Sequence, residues 1–136
     1  MKPETKVRTL FILCATLVAC GQGEPAPVTI EATGVLTAES PVDSNHMNFH
    51  YTVHTFQGER WDRVNVELLS ADFPVLLKLV ETATGAPLAE WDQEYSEETS
   101  LSYTIAGPGE YQVRVYSMAG SGEYTVNITL KPGGSR

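Results

Sequence analysis

Three histidines, His46, His50 and His54, recur at every fourth residue of one short segment, and the chain has no others. Imidazoles bind metals and move protons near neutral pH, so chemistry is sought here first. On an extended strand the three share one face, beside Thr52. Positions i and i+4 of a strand are ~13 Å apart, however, whereas zinc draws each ligand nitrogen to ~2.1 Å. Without a second strand to supply ligands, the spacing reads as histidines on a solvent face. A second group, Asp72, Asp92, Glu94, Glu97 and Glu98, offers the hard oxygens that calcium takes, 6–8 of them at ~2.3–2.6 Å. Asp72, Asp92 and Glu94 are the candidate ligands. The same acids also serve without a metal, as a solvated loop that keeps a strand edge from pairing with neighbours. A third group, Trp61, Trp91 and Tyr95, flanks turns, where exposed rings would stack on sugars or take a partner's apolar side chain. Buried, the same rings would close the ends of a β-core.

Catalytic constellations are not legible. No Gly-x-Ser-x-Gly elbow occurs, and all histidines lie within nine residues, so no Ser-His-Asp arrangement is indicated. Carboxylates are plentiful, yet no segment reads as a deep cleft that would hold one protonated. The expectation is a non-enzyme with no catalytic residue and no cofactor, calcium being a candidate that is not favoured.

The elements that must position these groups are strands. Between Gly109 and Leu130, Tyr111, Val113 and Val115 alternate with Gln112 and Arg114. After a connector with two glycines, Tyr124, Val126, Ile128 and Leu130 alternate with Thr125, Asn127 and Thr129. A period of two in β-branched and aromatic residues marks half-buried strands, and the short connector predicts an antiparallel hairpin. Upstream, Val28–Ile30 and Gly34–Leu36 suggest one strand or a broken pair. Met47, Phe49, Tyr51 and Val53 alternate with polar residues and predict a strand with those four facing the core. Val64, Val66 and Leu68 share a face; Val75–Val80 is apolar apart from Lys78; Leu88–Trp91 is short; Leu101, Tyr103 and Ile105 alternate again. About eight short strands with turn signals every 8–12 residues predict an all-β, jelly-roll-like antiparallel sandwich. Roughly 100 residues suffice for one such core.

The first 20 residues resemble a bacterial lipoprotein signal. Lys2, Lys6 and Arg8 precede the apolar run Leu10–Val18, which is far short of the ~20 residues that span a bilayer. Leu17-Val18-Ala19-Cys20 resembles a lipobox, which implies cleavage before Cys20 and acylation of its sulfur and new amine. Residues 1–19 are then the signal peptide, 20–27 an acylated Cys and tether, 28–131 the β-sandwich domain and 132–136 a flexible tail. The lipid bilayer is the expected partner through Cys20, and Gly21 after it favours the outer membrane of a Gram-negative envelope. Cleavage removes three of nine Lys and Arg and one of seventeen Asp and Glu, leaving six against sixteen and a net charge of −10. So acidic a domain has no basic stripe for nucleic acid and gains nothing electrostatically from an anionic membrane face, which leaves the anchoring to the lipid.

The domain as a whole resembles the pre-peptidase C-terminal domains of secreted bacterial peptidases. The resemblance rests on Phe49-x-Tyr51-x-Val53, Gly58, Val64-x-Val66-x-Leu68, Ser70-x-Asp72-Phe73, Leu77-x-Leu79, Gly85 and Leu88-Ala89. It continues through Leu101 and Gly109-x-Tyr111-x-Val113-x-Val115 to Gly122-x-Tyr124-x-Val126. It implies a non-catalytic jelly-roll-like sandwich, some relatives of which bind calcium or extracellular polymers. Pro74 and Gln93 stand where calcium-binding relatives often carry acids. The expected function is a lipid-displayed binding module for an extracellular polymer or an envelope protein. A structural or maturation accessory is the alternative, and a small hydrolase a distant third.

Overall fold

The computed structural model describes residues 26–133. The expected signal peptide, Cys20 and residues 134–136 of the expected tail lie outside them. Among the described residues, nine strands make two antiparallel sheets: β1 (Val28–Leu36), β2 (Val42–Asp43), β3 (Phe49–Gly58), β4 (Arg63–Ala71), β5 (Val75–Glu81), β6 (Pro87–Asp92), β7 (Ser100–Thr104), β8 (Gly109–Ser117) and β9 (Gly122–Lys131). One sheet has the order β1-β9-β4-β7, the other β2-β3-β8-β5-β6. Apolar residues from both inner faces fill a single core, among them Val64, Val66, Leu77, Leu79, Val113, Val115, Val126 and Ile128. The all-β sandwich is therefore the fold.

The expected hairpin is not formed. β8 and β9 keep the predicted alternation, with Val113 and Val126 both 0% exposed. They belong to different sheets, however: β8 pairs with β3 and β5, and β9 with β1 and β4. The connector crosses from one sheet to the other, with Gly120 at φ 80° and the Ser117 hydroxyl donating to the Gly120 carbonyl at 2.7 Å. The physical reason is coverage. Paired as a hairpin, the two arms would put both apolar stripes on one face; crossing over sets the stripes opposite each other, with hydrogen-bonded neighbours on both sides of each strand.

A second correction concerns β3. Phe56 and Gly58 are buried, and Phe56 stacks on Tyr111 in the core at 5.9 Å. The even positions of β3 therefore face inward, and Phe49, Tyr51 and Val53 face outward, the reverse of the expected facing. The larger sheet carries aromatics on both faces, so hydrophobicity alone did not mark its inner side. Met47 precedes the strand, in a turn. The residues from Val28 to Leu36 form one strand.

The histidines are consequently not a solvent-face trio. His46 sits in the β2–β3 turn and packs on the outer face of the larger sheet. His50 hydrogen-bonds the Ser40 carbonyl through Nδ1 at 2.7 Å. His54 points between the sheets, where its Nε2 lies 2.5 Å from the Tyr124 hydroxyl, which also meets Thr52 Oγ1. A chain in which Thr52 donates to Tyr124 and Tyr124 donates to a neutral imidazole satisfies all three groups.

Burial holds the His54 imidazole below its ordinary pKa of 6.5. The unfolded chain therefore takes up this proton more readily than the folded domain. The stability that neutral His54 confers is full above 6.5 and is lost as pH falls through that value toward the lower folded one. The unfolding midpoint should fall between about pH 7.5 and 5, and His54→Gln should flatten that slope. Asp43, which lies below its usual 3.8, titrates at more acid pH than this window. A midpoint equally pH-dependent in His54→Gln would refute the assignment.

Candidate functional site

The outer face of the five-stranded sheet is not a plain wet surface. Tyr116 on β8 is a large side chain at 0% exposure, yet it lies outside the main core. It is covered by Tyr51 from β3, stacked at 5.3 Å, and by His46 from the β2–β3 turn at 5.2 Å. Leu76 and Val80 on β5 share this face and are also buried. The Tyr116 hydroxyl donates to Asp43 Oδ2 at 2.7 Å. Burial, reinforced by that carboxylate, pushes Tyr116 up to about 12, while the same hydrogen bond holds Asp43 below the usual carboxylate range.

Charged groups ring this aromatic layer. Lys78 Nζ stands 5.4 Å from the Tyr116 ring centroid and 3.9 Å from Glu90; the Arg114 guanidinium lies 5.2 Å over Tyr51 and 3.7 Å from Asp43. His46 Nδ1 is 3.4 Å from Lys78 Nζ and 3.9 Å from Glu90. Every acid here has a cation, and every ring a partner. The arrangement is a packed platform of rings and ion pairs.

On that platform the β2–β3 turn is strained. Met47 and Asn48 have φ of 56° and 57°, consecutive non-glycine residues in the left-handed region. Such strain persists only where the surroundings over-determine it. Here the Asp43 carbonyl accepts from both His46 N (2.9 Å) and Asn48 N (3.0 Å), and the His46 ring is pinned beneath. The result turns His46 inward and leaves Met47 80% exposed.

The residues singled out from sequence are dispersed. Trp91 is a core ring whose indole N–H donates to the Glu98 carbonyl at 2.8 Å, so it offers no binding surface. Trp61 (52% exposed) lies in the turn before β4, and Tyr95 (80% exposed) in the loop after β6, at opposite ends of the sandwich. Asp72 Oδ2 accepts from Glu123 N at 2.9 Å, and Asp92 Oδ1 from Glu94 N at 2.9 Å, so these carboxylates cap turns. Asp72 and Glu94 border one shallow depression. Among the described residues, no three His, Cys, Asp or Glu side chains converge to hold a metal ion.

Asp43, Lys78, Glu90, Arg114 and Tyr116 were not singled out by sequence reasoning. Their signal was present but needed the strand pairing. Lys78 interrupts an apolar run, Arg114 stands between two core valines, and Tyr116 follows Val115 without alternation. The β5–β8 register sets Lys78 opposite Arg114 and Leu76 opposite Tyr116, the β5–β6 register sets Glu90 opposite Lys78, and the Tyr116 hydrogen bond brings Asp43 to the same face.

Fold and surface together define a class: a two-sheet antiparallel sandwich with a second, aromatic and charged layer outside its larger sheet. No family model matches the chain, and no curated protein matches it in sequence. Solved structures of PliG, a periplasmic inhibitor of g-type lysozyme, share the architecture. The Aeromonas hydrophila protein gives a TM-score of 0.55 at 8% identity, over 76% of this chain and 86% of that one. The Salmonella Typhimurium protein gives 0.52 at 18%, over 76% and 87%. A mutant of the Escherichia coli protein gives 0.53 at 14%, over 81% and 94%. At these identities the likeness establishes the fold.

Proposed function

We propose that the protein is a non-catalytic binding module held in the bacterial envelope by lipid on Cys20, and that it binds a protein through the outer face of its larger sheet. The observation that carries this reading is Met47, a large apolar side chain presented on a strained turn whose base is fixed by Asp43, His46 and Tyr116. Met, Tyr and Arg are enriched at protein interfaces, and a turn whose backbone is already fixed loses little further backbone entropy on binding. Arg114, Tyr51 and half-exposed Val53 extend the patch beside it. The likeness to three whole-domain inhibitors supports a protein partner, and a g-type lysozyme is the first to test because those neighbours inhibit it. The resemblance to pre-peptidase C-terminal domains supports a non-catalytic role. The lipobox supports anchoring, in the outer membrane if the host has one.

Co-purification from gently solubilised membranes tests the reading. Wild type should retain a protein partner, and Met47→Asp should weaken retention about 30-fold, the loss of a hot spot of ~2 kcal/mol. Its unfolding midpoint should stay within a few degrees of wild type. Undiminished retention by Met47→Asp, or recovery of a polymer and no protein, would overturn the assignment. Cys20→Ala should abolish partition into detergent; a wild type that is soluble and unlipidated would remove the anchor.

A further inference from the structure

The outer face of the four-stranded sheet carries a second arrangement, remote from Met47. Outward side chains of β7, β4 and β9 stand in cross-strand rows. Thr104, Arg63 and Lys131 form one row, and Ser102 and Asn65 lie in the next. These residues line a cleft of about 340 Å³, with Pro27 also on its wall. Like charges directly opposite each other on neighbouring strands are destabilising. Among the described residues neither Arg63 nor Lys131 is ion-paired, so the pair is best satisfied by an anion placed between the two.

Three further observations converge on this end of the sandwich. Of the six Lys and Arg that follow Ala19, Lys78 and Arg114 are committed to the opposite sheet, whereas Arg60, Arg63 and Lys131 gather here. The Arg60 guanidinium lies 5.7 Å from the ring centroid of half-exposed Trp61, in the turn that leads into Arg63. The chain also enters the domain at this point, since Val28 pairs with Leu130, the residue before Lys131. Pro27 is seven residues past Cys20, at most ~25 Å of extended chain. Glu59 and Asp62 share the turn, Asp62 Oδ2 accepting from Glu59 N at 2.9 Å, and Glu31, Glu67 and Glu123 stand farther along the same outer face, so the cationic character is confined to the Arg63–Lys131 row.

We propose that Arg63, Lys131 and Trp61 form a membrane-facing foot, in which the phosphate of an anionic lipid headgroup sits between the two cations and the indole lies at the interface. This orientation rests on the lipid attachment at Cys20. A net charge of −10 argues against attraction of the domain as a whole, but screening confines electrostatics to ~8 Å at physiological salt, so the local row decides. Each cation at an anionic surface favours apposition about five-fold, ~1 kcal/mol. Tryptophan, at the bilayer interface, finds both an apolar and a wet environment.

The chain has two tryptophans, and only Trp61 is open to solvent, so quenching of tryptophan emission by acrylamide reports on the foot. The lipidated protein would be reconstituted in vesicles of phosphatidylcholine alone and of phosphatidylcholine with phosphatidylglycerol, and flotation would be scored in both. We expect flotation with both vesicles. Quenching should be at least halved in the anionic ones, the protection being lost at ~1 M salt and in Arg63→Gln/Lys131→Gln while flotation persists. Flotation with equal quenching in the two vesicles would overturn the foot and leave the anchor standing. Failure to float with either would overturn both. Protein in neutral detergent, titrated with inorganic phosphate or with a soluble anionic glycan, separates the sources: protection there, with none from phosphatidylglycerol, would assign the cleft to a free anion and overturn the bilayer reading.

Discussion

Val113→Asp and Val126→Asp should each leave the domain unfolded at neutral pH without denaturant, while Gln112→Asp and Thr125→Asp should fold. Both valines are 0% exposed, one on the central strand of the larger sheet and one on an inner strand of the smaller, and both belong to the same core. A carboxylate placed there finds no cation, since Lys78 and Arg114 lie on the outer face. An uncompensated buried charge costs ~3–5 kcal/mol even after relaxation, and the alternative, protonating the acid at neutral pH, costs a comparable amount. A domain of this size has roughly 5–15 kcal/mol in all, and the lost valine packing adds to the penalty. Gln112 and Thr125, one residue earlier on each strand, point to the outer faces, where a charge is solvated and changes stability by about 0.5 kcal/mol. Circular dichroism with urea titration reads the contrast. The reverse pattern would mean that the register is displaced by one residue and every facing with it.

That contrast was legible in the sequence because alternation in β8 and β9 reports burial directly. What alternation cannot report is which strand lies alongside. A six-residue connector with two glycines is as compatible with a crossover between sheets as with a hairpin, and the hairpin expectation failed there. The facing of β3 failed for a related reason. Phe49, Tyr51 and Val53 are as apolar as any core set, but they cover Tyr116 and its neighbours from outside. A sheet with two hydrophobic faces erases the signal that distinguishes inside from outside. The surface assigned to partner binding was hidden for the same reason. Its charged members come from the β2–β3 side and from β5, β6 and β8, and only the register sets Lys78 beside Arg114 and Glu90. From sequence Trp91 is a candidate binding ring with core closure as the other reading, and only its burial decides for the core. Trp61 became informative only when its neighbours across β4 and β9 were known.

Gly34→Ala should lower the unfolding midpoint by roughly 5–20 °C, although the position lies on an edge strand in ordinary extended backbone. The glycine is required by a close approach and not by its dihedral angles. Gly34 pairs with Tyr124 across β1 and β9, and the tyrosine ring lies over it. A Cβ added at Gly34 would stand 2.7 Å from Tyr124 Cζ and 2.8 Å from Cε1, well inside van der Waals contact. The ring has nowhere to go. Its hydroxyl is held by Thr52 and His54 from the other sheet, and Phe73 meets it edge-on with centroids 6.3 Å apart. Either β1 must part from β9 or the Tyr124 hydrogen bonds must break, at an overpacking cost of ~1–3 kcal/mol. For about 100 residues each kcal/mol shifts the midpoint by ~4–8 °C. The cause is separable from other effects of the substitution by a double-mutant cycle. Tyr124→Leu removes the atoms that clash, and it also removes the partner of His54. In that background Gly34→Ala should become neutral or slightly stabilising, as alanine for glycine is in an unobstructed strand by ~0.5–1 kcal/mol. An additive cycle, with Gly34→Ala costing the same in both backgrounds, would show that the glycine serves something other than the tyrosine ring that ties the two sheets together.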